Sequence, residues 1–238
     1  MPQPYDSATK FLLDNPADWL PLVHRPVAEA TPLNSDLSTI TASADKLFRV
    51  HSEPPYVLHL ELQSTYQTRM AERFMMYNVL IHYREQLPVL SVVVLLRPEA
   101  DGTCMREPVR LHLPDESESY LRFRFEVVRL WEIPVEQILS GGIHTLPLAP
   151  LCRVSRSELP SVIERMRVRI GSEVSGNAEH LLWTATYLLM GMRYNPEEIE
   201  ESLKGVRAMR ESITYQAILN EGRTEGRAEG RTEGELRA

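Results

Sequence analysis

Residues 56–63 read Tyr-Val-Leu-His-Leu-Glu-Leu-Gln and alternate without a break. As a strand, they place Leu58, Leu60 and Leu62 on one face and His59, Glu61 and Gln63 on the other. Alternate side chains on one face stand about 7 Å apart, so an imidazole, a carboxylate and an amide are neighbours. Upstream, Ala-Asp-Lys-Leu-Phe-Arg-Val (44–50) reads as a second strand that opens with Asp45. The link between the two, His51-Ser52-Glu53-Pro54-Pro55, is short and rich in turn residues, which predicts an antiparallel hairpin. Pairing of these strands brings an aspartate and a Glu-x-Gln to one spot. Two carboxylates so placed form a hard-cation geometry suited to phosphodiester chemistry.

Outward from this hairpin, the chain predicts a mixed α/β fold. Between residues 66 and 86, apolar side chains recur at Met70, Phe74, Tyr77 and Ile81, a helical spacing that sets Arg73 and Tyr77 one turn apart. The run 89–96, Val-Leu-Ser-Val-Val-Val-Leu-Leu, is β-branched and apolar on both faces, as a central strand should be. Residues 33–40, 109–113 and 121–127 read as further strands, and 97–102 as a loop. Asp6 is placed to cap a short helix through Leu13, and the prolines at 16, 21, 26 and 32 predict irregular structure or broken helix over 17–34. Pro134 opens a short helix that Gly141-Gly142 closes.

Leu146-Pro147-Leu148-Ala149-Pro150 reads as a rigid connector and divides the chain into 1–150, 151–220 and 221–238. Past it the period switches from two to 3.6, predicting helices over 159–170, 178–192 and 196–204, the last capped by Asn195, and a final one over 206–220. The tail repeats Glu-Gly-Arg-Thr, Glu-Gly-Arg-Ala, Glu-Gly-Arg-Thr, Glu-Gly-Glu from Glu221. Glycines and like charges at i, i+4 disfavour an isolated helix there. Packing against another copy would order it, so the expectation is a homo-oligomer.

Composition narrows the setting. Of 238 residues, 43% are hydrophobic and 25% charged, an ordinary balance for a globular chain. No apolar run is long enough to span a bilayer, and residues 1–6 lack the basic and apolar regions of a secretory signal. Cys104 and Cys152 have no metal-ligand spacing and fit reduced thiols, so the expected compartment is the cytoplasm. The net charge of −7 argues against a general nucleic-acid binder. Its distribution softens that: lysine occurs only at 10, 46 and 204, while arginines cluster at Arg97, Arg106, Arg110, Arg122, Arg124 and Arg129, and again at Arg153, Arg156, Arg165, Arg167 and Arg169. Guanidinium forks match phosphate oxygens; a solvated face is the plain alternative.

The order of elements resembles the PD-(D/E)XK nuclease core: helix, strands, Asp45 on one strand, Glu61-x-Gln63 on the next, helix, buried strand. Within it the chain is most similar to the recombination-promoting nuclease and transposase family. Ala44-Asp45, His59 to Gln63, Arg73 to Tyr77, Leu87-Pro88-Val89 and the Glu-Gly tail carry the closer match, over residues 5–150 with the tail alike in style. The resemblance implies a restriction-endonuclease-like sheet flanked by helices. It implies that Asp45, Glu61 and the backbone carbonyl of Leu62 hold Mg²⁺ or Mn²⁺, and that Gln63 orients water or phosphate where the wider superfamily has lysine. Asp6, Glu29 and Asp36 are candidates for a supplementary acid. Two functions are then expected: a metal-dependent DNA endonuclease linked to recombination or transposition, or a weak or inactive nuclease-fold module binding DNA or protein. Plainer roles stand beside these. Asp45 can open a strand by bonding a turn amide, Glu61 and Gln63 can form a solvated strand face, and Arg73 and Tyr77 can be a solvated and a packed position of one helix. His59 reads as a hydrogen-bonding bystander outside the site.

Overall fold

The computed structural model describes residues 12–13, 15–23, 27–33, 44–112 and 117–206. The strands are β1 (Ala30–Leu33), β2 (Lys46–Val50), β3 (Tyr56–Gln63), β4 (Val89–Leu95), β5 (Val109–His112), β6 (Ser119–Phe123) and β7 (Glu126–Arg129). Five of them form one mixed sheet in the order β1-β2-β3-β4-β7; β5 and β6 make a separate two-stranded ribbon. β2 and β3 pair antiparallel as the turn-rich link predicts, from Lys46↔Leu60 to Val50↔Tyr56. β3 and β4 run parallel, from Val57↔Val89 to Gln63↔Leu95. A parallel neighbour needs a crossover, and helix α2 (Met70–Glu85) supplies it; α1 is the short helix Pro16–Trp19.

Both faces of the sheet are covered, which is why 89–95 is apolar throughout. On one face Phe48, Leu58, Leu60, Val92 and Val94 join a core with Trp19, Leu20 and residues of the C-terminal half. On the other lie Leu47, Val57, Val93 and Leu95, packed under α2. α2 turns Met70, Phe74, Tyr77 and Ile81 inward, the four positions its spacing marks. Phe74 and Ile81 are fully buried, each contributing roughly 2–3 kcal/mol of apolar transfer. The helix ends at Gln86, whose left-handed backbone (φ 55°) returns its N–H to the His82 carbonyl.

The C-terminal half is helical: α3 (Val135–Leu139), α4 (Leu159–Glu173), α5 (Asn177–Met190) and α6 (Pro196–Leu203). Leu159, Val162, Ile163, Met166 and Ile170 form the buried stripe of α4. Asn195 caps α6 in a reciprocal pair with Glu198. The 146–150 segment lies within a buried 3-10 helix, Ile143–Leu151, and one apolar core takes side chains from both sides of it.

Three expectations shift. The first strand is Ala30–Leu33 rather than 33–40, of which only Leu33 lies among the described residues. Its Pro32 pairs with Phe48 on an edge strand, where a missing N–H is tolerated. The single strand expected over 121–127 is two, broken after Phe123, because β6 pairs with β5 and β7 with β4. The loop after β4 contains two 3-10 turns, Pro98–Ala100 and Thr103–Met105. The helices expected around Asp6 and over 206–220, and the tail, lie outside the described residues.

Candidate functional site

β3 alternates as its sequence predicts, but its polar face is not solvated. His59 is fully buried, Glu61 is 5% exposed and Gln63 8%, because α2 lies across this face. A polar group so placed needs partners to offset lost hydration, and each has them. Glu61 Oε1 meets His59 Nε2 at 3.2 Å, and Glu61 Oε2 accepts from Arg73 Nη2 at 2.9 Å. His59 Nδ1 lies 3.2 Å from Ser91 Oγ, which also accepts from Asn78 Nδ2 at 3.0 Å. The Phe74 and Tyr77 rings pack on the imidazole at centroid distances of 5.2 and 5.7 Å.

Asp45 sits one residue ahead of β2. Continuing the Lys46↔Leu60 register by one sets it opposite Glu61, where Cβ atoms stand about 5 Å apart. It is half-buried, and its Oδ2 accepts from the Leu62 N–H at 3.3 Å. Leu62 thus meets Asp45 through its N–H, whereas the resemblance implied its carbonyl as a ligand. Gln63 follows on the same face as Glu61; its Nε2 donates to the Thr65 carbonyl at 2.5 Å, which fixes the amide.

Arg73 is the cation of this cluster. Beyond Glu61 it donates from Nη1 to Gln67 Oε1 at 2.6 Å and lies over the Tyr77 ring at 5.9 Å from its centroid. Its Nε is buried without a hydrogen bond. Burial, with the Glu61 carboxylate adding to it, pushes the Tyr77 hydroxyl above its ordinary range; Arg73 pulls it down and Asp45 raises it further. Tyr77 therefore feels both carboxylates, which places Asp45 and Glu61 in one electrostatic environment.

From sequence His59 reads as a hydrogen-bonding bystander outside the site; the partner of its Nε2 is Glu61. The signal is its position two residues before Glu61 on one strand face. Ser91 and Asn78, which hold the imidazole, carry no such signal, because their meeting depends on how α2 crosses the sheet. Glu29 is exposed and precedes Ala30, which pairs with Val50, so it stands at the far end of the hairpin from Asp45. Asp6 and Asp36 lie outside the described residues. Among the described residues no group of three or more His, Cys, Asp or Glu forms a metal cage, so the candidate is a two-carboxylate centre. Its donors are hard oxygens and fit Mg²⁺ or Mn²⁺ by type, with Glu61 Oε2 shared with, or surrendered by, Arg73.

No protein-family model matches the chain, and no curated protein or solved structure matches it significantly.

Proposed function

We propose that this chain is a divalent-cation-dependent endodeoxyribonuclease with a PD-(D/E)XK-type core, acting on DNA in recombination or transposition. One observation carries the reading: Asp45, one residue past the β2–β3 ladder where the continued register meets Glu61, accepts from the Leu62 N–H, and Glu61 and Gln63 share one buried polar face. Asp45 and Glu61, with the Leu62 carbonyl, would hold Mg²⁺ or Mn²⁺. Such an ion activates a water and offsets charge on the attacked phosphate. Around it this chain's residues do the positioning. His59 and Arg73 orient the Glu61 carboxylate from both sides, and the anchored Gln63 amide presents Oε1 to a water proton. Self-association through residues beyond 206 belongs to the same proposal.

The alternative is a weak or inactive nuclease-fold module. Arg73 favours it, since its ion pair already neutralises Glu61, and an amide at position 63 moves no proton. Supercoiled plasmid incubated with Mg²⁺, Mn²⁺ or chelator separates the two. The nuclease reading expects nicking with either cation, none with chelator, and none from Glu61→Gln or Asp45→Asn protein of native fold. Equal nicking by Glu61→Gln rejects the site; no nicking by wild type under any condition favours the module.

A further inference from the structure

The β5–β6 ribbon takes no part in the carboxylate site, yet its outer face is strongly charged. Val109↔Phe123 and Leu111↔Leu121 pair on the inner face; Phe123 packs on the cluster that includes Phe74 and Met105. Arg110 and Arg122 pair directly on the outer face, both exposed; His112 and Tyr120 are exposed at alternate positions beside them, and Arg124, one residue past β6, is exposed too. Tyr120 is 60% accessible. Like charges directly opposed on two strands repel, and none of the three arginines makes an ion pair with a described residue. Among the described residues, carboxylates near the ribbon stand at its margins, at Glu107, Glu118 and Glu126; Asp115 and Glu116, in the link between its strands, lie outside the described residues.

That pattern contrasts with the helical half, where Arg156, Arg165, Arg167 and Arg169 are each matched to a glutamate. The ribbon's root is also tied to the candidate site. Tyr66 packs against Gly102 so closely that a Cβ there would overlap the edge of its ring. Cys104 Sγ lies 3.7 Å from the Gln67 carbonyl, and the Gln67 side chain accepts from Arg73. A cleft of about 700 Å³ separates the ribbon from the start of α2, between Tyr66, Thr68 and Glu72 on one side and Arg106, Val109 and Arg110 on the other.

We propose that the outer face of the β5–β6 ribbon is a DNA-backbone clamp, with Arg110, Arg122 and Arg124 seated on phosphates of duplex DNA. The proposal rests on the DNA reading above. Phosphates relieve the repulsion between the paired arginines, whose guanidinium forks each donate to two phosphate oxygens. Such contacts position a duplex without selecting its sequence, the role a nuclease needs beside its carboxylates.

The test uses full-length protein with chelator present, so that binding is read without cleavage. Fluorescence anisotropy of a labelled 20-base-pair duplex (two unrelated sequences) gives Kd as a function of NaCl. Arg110→Gln/Arg122→Gln/Arg124→Gln should bind both sequences at least about tenfold more weakly at 100 mM salt. Its log–log salt slope should be shallower by about 2–3, near 0.9 for each phosphate that is no longer neutralised. Its Tm should hold or rise, because the opposed charges are gone. Arg156→Gln, which removes a cation from the helical half, should bind as wild type does. Equal affinity and slope for the triple variant overturn the clamp, as does wild type that fails to bind duplex or binds only anionic vesicles. Plasmid nicking keeps the two proposals separable: wild type that nicks while the triple variant binds normally removes the clamp and leaves the nuclease. Arginine-dependent binding without nicking does the reverse.

Discussion

Glu61 Oε2 and Arg73 Nη2 lie 2.9 Å apart, one side chain 7% exposed and the other 29%. The pair fixes how a carboxylate survives beneath α2: its negative charge is matched on the spot by a guanidinium from that helix. A divalent cation at Asp45 and Glu61 would compete with Arg73 for the same oxygen.

Arg73→Gln should therefore destabilise the protein by roughly 2–3 kcal/mol, near the low end for breaking a buried pair because Arg73 keeps partial access to water. For a chain of this size, that corresponds to about 5–10 °C in Tm. On the metal reading, millimolar Mn²⁺ should raise the Tm of the variant more than that of wild type, since the ion replaces the missing charge. Equal shifts in both proteins would separate Arg73 from the cation site.

Gln63→Ala is expected to leave Tm near wild type and to slow divalent-dependent nicking by about tenfold, equivalent to about 1.4 kcal/mol of barrier. The amide is fixed by Thr65 and its loss removes orientation while both carboxylates stay. A rate equal to wild type would show that Oε1 does not hold the attacking water.

The hairpin, the α2 stripe, the central strand and the helices between Leu159 and Leu203 are legible in the sequence, because each rests on a local period that burial enforces. Less legible is anything decided between distant elements. Leu121 to Val127 alternates as one strand, and only its two different partners, β5 and β4, divide it. Pro32 reads as a breaker, and only the edge position of β1 admits it. In the candidate site, Asp45, Glu61 and Gln63 can be read from spacing alone. That Arg73 neutralises Glu61, and that His59 is held by Ser91, depends on the angle at which α2 crosses β3 and β4. Gly141-Gly142 reads as a helix stop, whereas Gly142 also admits another side chain from far upstream.

The Asp101–Arg129 pair gives a pH dependence. Arg129 donates from Nε and Nη2 to the two carboxylate oxygens at 3.0 Å each. That bond, more than the neighbouring charges, holds the Asp101 carboxyl below its usual range, and Asp101 in turn raises Arg129. A carboxylate with a depressed folded pKa contributes stability above its unfolded pKa of about 4 and loses it as pH falls through the folded value. Arg129→Gln should thus cost about 1–2 kcal/mol at pH 7. Its deficit against wild type should shrink only below about pH 4. Urea titrations at pH 7 and pH 3.5 measure both; a deficit unchanged at the lower pH would assign it to packing.

The two thiols should differ in reactivity. Burial pushes Cys152 up to about 12, so almost none is thiolate at neutral pH, and reagents that attack thiolates should not modify it in the folded state. Cys104 is only half-buried. Dithionitrobenzoate at pH 7.5 should titrate one thiol natively and two in guanidinium. A Cys104→Ser protein that still reacts rapidly when folded would contradict this.

Asp18 reaches from the end of the N-terminal helix α1 to the C-terminal half, where Oδ2 accepts from the His144 N–H and lies 3.0 Å from its Nδ1. The carboxylate passes directly over Gly142, and a Cβ built on that residue would overlap the Asp18 carboxylate itself. Asp18 is 8% exposed and held by both bonds, so it cannot swing aside as a free surface side chain would. Gly142→Ala should therefore cost roughly 2–3 kcal/mol, from overpacking and the bonds it breaks. Asp18→Ala should cost about 1–2 kcal/mol, because it leaves the His144 N–H without its acceptor. Once Asp18 is an alanine, however, the space above residue 142 is open, so the double variant should be no less stable than Asp18→Ala alone. A cycle of thermal or urea unfolding on the four proteins measures that coupling. Strict additivity would mean that Gly142 is required by its own turn and not by the side chain that crosses it.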